Sequence, residues 1–61
     1  MYKELKAWIS GMNNLKDNPL SALALMRVYD TLKHQEALGN ITQKQRVELH
    51  KYAMKVMDLE V

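Results

Sequence analysis

Apolar side chains recur every three or four residues along most of the chain, which is the spacing that one face of an α-helix presents. In the first segment they fall within an arc of roughly 140°. Its members are Tyr2, Leu5, Trp8, Ile9, Met12 and Leu15. The pattern predicts an amphipathic helix over residues 2–14. Gly11 could bend it or end it early, because glycine weakens a helix by about 1 kcal/mol relative to alanine.

A second helix is predicted over residues 19–38. Pro19 suits the first position of a helix, and the side-chain oxygen of Asn18 can accept a free backbone N–H as an N-cap. The main apolar face spans roughly 160°. It consists of Ala22, Leu25, Met26, Val28, Tyr29 and Leu32. Leu20 and Leu23 lie on the other side, so the first two turns are apolar nearly all round.

The third helix follows a short turn. Gly39 can adopt the left-handed conformation that ends many helices, and Thr42 with Gln45 matches a capping box. A helix is therefore predicted over residues 43–59. Its polar stripe spans only roughly 80° and consists of Lys44, Glu48, Lys51, Lys55 and Asp58. The remaining apolar arc of roughly 200° or more is wider than one neighbouring helix needs.

These elements predict a single all-α domain over residues 1–61. The short connection over residues 39–42 makes the last two helices antiparallel neighbours, so they form a long helical hairpin. The first helix covers one side of this hairpin. Trp8 is expected to anchor it there, because a large aromatic side chain contributes much of the burial energy.

A monomeric bundle would leave much of the apolar surface of the last two helices exposed, which soluble monomers usually avoid. The pattern therefore favours a homodimer in which two hairpins form a helical bundle. The residues expected to mediate self-association, or docking to a target protein, are Leu25, Tyr29, Leu32, Leu49, Tyr52, Val56 and Leu59.

Composition supports this need for a partner. The chain has 61 residues, is 48% hydrophobic and has no cysteine, so no disulfide stabilises a domain of a size that buries only about 60% of its unfolded surface. The longest apolar run, Ala22–Met26, is far shorter than the roughly 20 residues that span a membrane. The absence of cysteine and of a leader pattern favours a cytoplasmic protein.

The residues that carry chemistry do not form a recognisable active site. The serines, Ser10 and Ser21, lie outside nucleophile motifs, and the two glycines are isolated, so no phosphate-binding loop is expected. The two histidines, His34 and His50, lack the further ligands of a zinc site. We therefore expect no catalysis, no metal and no cofactor.

Nucleic-acid binding is the main alternative function. The formal charge is +2 and the isoelectric point is about 9.0. Lys44 and Arg46 lie near the start of the third helix, where a DNA-reading helix presents basic residues, and Lys51 follows on the same helix. Acidic residues interrupt this positive charge, however, whereas a phosphate-binding track is usually denser.

The function expected from the sequence is therefore that of a small, non-enzymatic interaction or regulatory protein that acts through its apolar helix faces. The alternative is a small DNA- or RNA-binding regulator. In size and layout the chain resembles small bacterial, plasmid or phage helical-hairpin proteins, and this resemblance implies no site residue.

Overall fold

A computed structural model describes residues 1–15 and 18–58, and within them the chain is all-helical with no strand. The prediction of three α-helices is confirmed. The helices are α1 over Tyr2–Ser10, α2 over Ser21–Ala37 and α3 over Gln43–Val56, with a short 3₁₀ helix over Gly11–Leu15.

The first helix is shorter than predicted. α1 ends at Ser10, and Gly11 closes it with its backbone in the right-handed region at φ −67°. The chain then tightens into the 3₁₀ helix rather than continuing as an α-helix over residues 2–14. Of the two outcomes left open at Gly11, a bend or an early end, the structure shows the early end. Its physical basis is the low helix propensity of glycine.

The second helix begins later than predicted. The side-chain oxygen of Asn18 accepts the backbone N–H of Leu20 at 2.8 Å, so the expected capping side chain does bind a backbone N–H. Pro19 and Leu20 form a turn, however, and α2 starts at Ser21, whose N–H donates to the Asn18 carbonyl at 3.0 Å. The side chain of Asn18 thus stabilises the turn that leads into α2.

Both ends of the connection between α2 and α3 form as predicted. Gly39 has φ +80°, and the N–H of Asn40 reaches back to the carbonyl of Gln35 at 3.0 Å, which is the pattern of a Schellman motif. At the start of α3, Thr42 and Gln45 exchange reciprocal hydrogen bonds of 3.0 and 3.1 Å. The capping box is therefore confirmed.

The third helix ends at Val56 rather than at residue 59. Asp58 has φ +56°, in the left-handed region, and a helix does not continue through such a residue. Leu59, which was predicted to end this helix and to join the interface, lies outside the described residues.

The core lies around α3. Its buried apolar side chains come from all three helices and the second connection, and they are Leu5, Ile9, Val28, Leu32, Ile41, Leu49, Ala53 and Met57. α3 packs against α1 and also against α2, whereas α1 and α2 have few contacts with each other. The wide apolar arc of α3 is therefore covered on two sides by its own chain, and a groove remains between α1 and α2.

Candidate interaction surface

Several largely exposed apolar side chains line a groove between α1 and α2. On the α2 side, Leu20, Leu23 and Met26 are 58%, 62% and 63% exposed. Trp8 of α1, which is 37% exposed, and the half-buried Met12 line the opposite side. We call these five residues the apolar groove. They bring large apolar side chains together at a surface that the described residues leave exposed.

Polar side chains border the apolar groove along the next turns of α2. Arg27 and Asp30 line it beside Thr31. Arg27 and Asp30 are both exposed, have opposite charges and lie three residues apart, so they neighbour each other on the helix surface. An apolar centre with a polar border is the arrangement that protein interaction sites commonly show.

The packing of α1 explains why Trp8 reaches this surface. Leu5 and Ile9 are the buried residues of α1, and they hold the helix against α3. Trp8 lies directly beside Ile9 in sequence, so the helix turn carries its ring away from that contact and towards the apolar groove. Leu5 and Ile9 thus provide the docking that was expected of Trp8, because a nine-residue helix buries only a narrow stripe.

The predicted interface residues fall into separate environments. Leu32 and Leu49 are buried in the core of the chain itself, so neither is accessible to a partner in this structure. Tyr29 is exposed, and Leu59 lies outside the described residues. The half-buried members are Leu25, Tyr52 and Val56. The structure therefore places the accessible apolar surface mainly on α2.

The sequence contained a signal for this surface. Leu20 and Leu23 stand off the main face of the second helix, where one buried stripe does not require apolar residues. The first two turns of this helix are predicted to be apolar nearly all round. The predicted interface nevertheless takes its second-helix residues from the main face, and it does not include Leu20 or Leu23.

Tyr29 lies at the neighbouring edge between α2 and α3. Its ring meets the ring of His50 edge-on, with centroids 5.6 Å apart and an angle of 69° between the ring planes. The ammonium of Lys33 lies 5.6 Å from the centroid of the same ring. Both contacts are favourable. They hold the exposed ring of Tyr29 against side chains of its own chain.

Tyr52 is engaged by α1. Its hydroxyl lies 2.5 Å from the hydroxyl of Ser10, and the two share a hydrogen bond. The Lys6 ammonium lies 5.3 Å from the Tyr52 ring centroid. One turn earlier on α3, the hydroxyl of Tyr2 donates to the Glu48 carboxylate at 3.4 Å. These contacts join α1 to α3 and account for the half-buried state of Tyr52.

The basic residues considered for nucleic-acid binding are not equivalent. Arg46 is half-buried, and its guanidinium forms an ion pair and hydrogen bond with Glu36 of α2. Lys44 and Lys51 are exposed. Glu48 lies one turn from each along α3, so the surface between the two lysines carries mixed charge.

Within the described residues, no three histidine and acidic side chains lie close enough together to hold a metal ion. The pKa of the Glu4 carboxyl is below its ordinary value, chiefly because the N-terminal ammonium of Met1 donates a hydrogen bond to it and lies 2.7 Å away. This pair lies on α1 outside the apolar groove.

Comparison with models of protein families, with curated proteins and with solved structures finds no match to this chain. Across the described ranges, no helix combines the length and the apolar character that crossing a membrane requires. The fold and the surface thus define a small all-α chain with an uncovered apolar groove.

Proposed function

We propose that this chain is a non-enzymatic interaction or regulatory protein, and that it acts by burying its apolar groove against another protein chain. The observation that carries the proposal is the exposure of Leu20, Leu23 and Met26 beside Trp8. Removing apolar surface from water is the main driving force of protein association, and here the exposed apolar residues are contiguous rather than scattered.

The packing of α2 on α3 is consistent with this role. α2 packs along α3, and the Schellman motif and the capping box fix the two ends of their short connection. We include in the proposal that α2 and α3 form the antiparallel hairpin expected from this connection. Such a hairpin would hold the exposed side of α2 rigid, so the groove would lose little conformational entropy when a partner binds.

The first partner to test is a second copy, because self-association can be measured without knowing a target. Sedimentation equilibrium between about 1 µM and 1 mM covers the affinities of weak specific dimers. We expect the mass to rise above the 7.1 kDa of a single chain. Leu23→Glu should hold it at the monomer value, because it replaces apolar contact in the groove with a charge that association would have to remove from water.

The matched control is Val47→Glu, which introduces the same charge at another exposed apolar residue, on α3 and outside the groove. This variant should associate like the wild type. Circular dichroism should show equal helix content in all three proteins. A wild-type chain that remains at 7.1 kDa throughout, or a Leu23→Glu variant that associates normally, would contradict this proposal.

The alternative proposal is a DNA- or RNA-binding regulator that uses Lys44, Arg46 and Lys51. The exposure of Lys44 and Lys51 and the formal charge of +2 favour it, whereas the ion pair of Arg46 with Glu36 competes with a phosphate contact. The test is binding to mixed duplex DNA and to structured RNA at low salt.

A steep salt dependence, with loss of affinity in Lys44→Glu and Lys51→Glu, would support this alternative. The matched control is Lys33→Glu, which makes the same charge change on α2. Equal loss in the control would indicate only a general dependence on net charge.

A further inference from the structure

The groove and its charged border are arranged so that two copies of the chain fit each other, and this inference rests on the proposed function. We propose that the occupant of the groove is a second copy whose α2 lies antiparallel to the first. In this arrangement Arg27 of each copy faces Asp30 of the other, so the dimer has two equivalent ion pairs related by a twofold axis.

The side of α2 that borders the groove has a symmetrical pattern. Leu20 and Leu38 are the residues that flank α2 at its two ends, and both have right-handed helical backbone angles. They lie 18 residues apart, which is five full turns at 3.6 residues per turn, so both stand on the same side of the helix axis. Both are largely exposed, at 58% and 59%. Arg27 and Asp30 occupy the middle of the stretch between them. The side therefore has leucine at each end and one charge of each sign near its centre.

Antiparallel pairing matches these features to each other. A twofold axis passing between residues 28 and 29 places residue 28 opposite residue 29 of the second copy. Every other facing pair has the same sum of residue numbers, because the two helices run in opposite directions. Arg27 then meets Asp30 of the second copy. Leu20 meets the end of the second α2 at Ala37 and Leu38, so apolar residues face each other at both ends. Between the ends and the central ion pairs, Leu23 faces His34 and Met26 faces Thr31. An isologous contact of this kind requires such self-complementarity.

Parallel pairing would be unfavourable at the same residues. It would set Arg27 against Arg27 and Asp30 against Asp30, and like charges placed together at an interface oppose association. Within the described residues, neither side chain forms an ion pair in its own chain. The charges thus distinguish the two orientations and favour the antiparallel one.

The available area suits a weak dimer. Leu20, Leu23, Met26 and Leu38 are each about 60% exposed, which corresponds to roughly 60 Å² of apolar surface apiece. Trp8 adds about 75 Å², so each chain offers about 300 Å². At an apolar share of about 60%, the interface would bury about 1,000 Å² in total. That is the lower bound for a specific contact, and dissociation in the micromolar range or above is expected.

Charge reversal tests this register directly. Arg27→Glu alone and Asp30→Lys alone each set like charges face to face twice per dimer. We expect either change to raise the dissociation constant about tenfold or more in sedimentation equilibrium. The double variant Arg27→Glu/Asp30→Lys restores both pairs with the signs exchanged, so it should return to within about threefold of the wild type.

Mixing the two single variants provides a second measurement. In a heterodimer the glutamate introduced at position 27 of one copy would meet the lysine introduced at position 30 of the other. The unchanged Asp30 and Arg27 would meet at the second contact, so both contacts would be attractive. An equimolar mixture should therefore associate more tightly than either variant alone. Lys51→Glu is the matched control, because it reverses a charge on α3 and should leave association unchanged.

The outcomes separate the register from the proposed function. Recovery in the double variant, together with preferential heterodimer formation, supports the antiparallel register. If Leu23→Glu abolishes association while the charge variants behave like the wild type, the register is wrong and the function of the groove stands. If Leu23→Glu associates normally, the proposed function fails as well.

Discussion

Two helices of this chain pack against each other and use their apolar residues differently. α3 has the wider apolar arc, and its own chain covers it on two sides, with α1 on one and α2 on the other. Among the described residues, α2 is covered mainly where it meets α3, and its first turns present Leu23 and Met26 to solvent. The width of an apolar arc thus indicates how many sides of a helix can be covered. It does not indicate whether the cover comes from the same chain.

Two leucines show this difference most directly. Leu49 of α3 is fully buried in the core, and Leu23 of α2 is largely exposed. The residue type is the same and both positions are helical. The sequence places Leu23 off the main face of its helix, but it does not show which chain covers Leu49. That depends on the packing of the other helices, since α1 packs on α3 and leaves the outer side of α2 open.

The largest expected difference in the free energy of unfolding is between alanine substitutions of these two leucines. Leu49→Ala should lower the free energy of unfolding by about 2–5 kcal/mol, because it removes buried contacts and leaves a cavity. A chain of this size has only about 3–9 kcal/mol to lose, so much of the variant should be unfolded. Leu23→Ala should change stability by no more than about 0.5 kcal/mol. Urea unfolding followed by circular dichroism, at a concentration where the chain is monomeric, measures both.

This pair also separates packing within the chain from packing between chains. At high concentration Leu23→Ala should weaken self-association although the monomer is intact. If Leu23→Ala were as destabilising as Leu49→Ala in the dilute monomer, the outer side of α2 would be part of the core, and the contrast between the two helices would be lost.

Local features of the fold were predictable because neighbouring residues determine them. The left-handed Gly39 and the capping box of Thr42 with Gln45 each depend on hydrogen bonds over a few residues. Asn18, expected to cap the second helix, binds instead within the turn before α2. The end of α1 at Gly11 follows in the same way from helix propensity. These features set where helices begin and end within a few residues.

The accessible surface was harder to predict because it depends on contacts that are distant in sequence. Within α1 the apolar pattern contains Tyr2, Leu5, Trp8 and Ile9. Packing on α3 buries Leu5 and Ile9, whereas Trp8 is left at the groove. Similarly, Leu32 and Leu49 were expected at an interface and lie in the core. A helical wheel orders residues around one axis, whereas their burial depends on where the other helices lie.

The smallest expected effect on the free energy of unfolding concerns the residues that precede α3 and α2. In α3, the Thr42 hydroxyl accepts the Gln45 N–H at 3.1 Å and the Gln45 side chain returns a bond. In α2, Asn18 binds the Leu20 N–H at 2.8 Å in a turn before the helix. Thr42→Ala should therefore lower the free energy of unfolding by about 1 kcal/mol. Asn18→Ala should lower it by roughly half as much, because it removes one bond of a turn rather than one side of a capping box.

Urea unfolding of the dilute monomer measures this difference as well, and Thr42→Ser is the matched control because it retains the capping oxygen. We expect Thr42→Ser to stay within about 0.5 kcal/mol of the wild type. Equal losses in Asn18→Ala and Thr42→Ala would mean that the start of α2 is held as firmly as the start of α3. The exposed turns of α2 would then be a fixed binding surface even before a partner covers them.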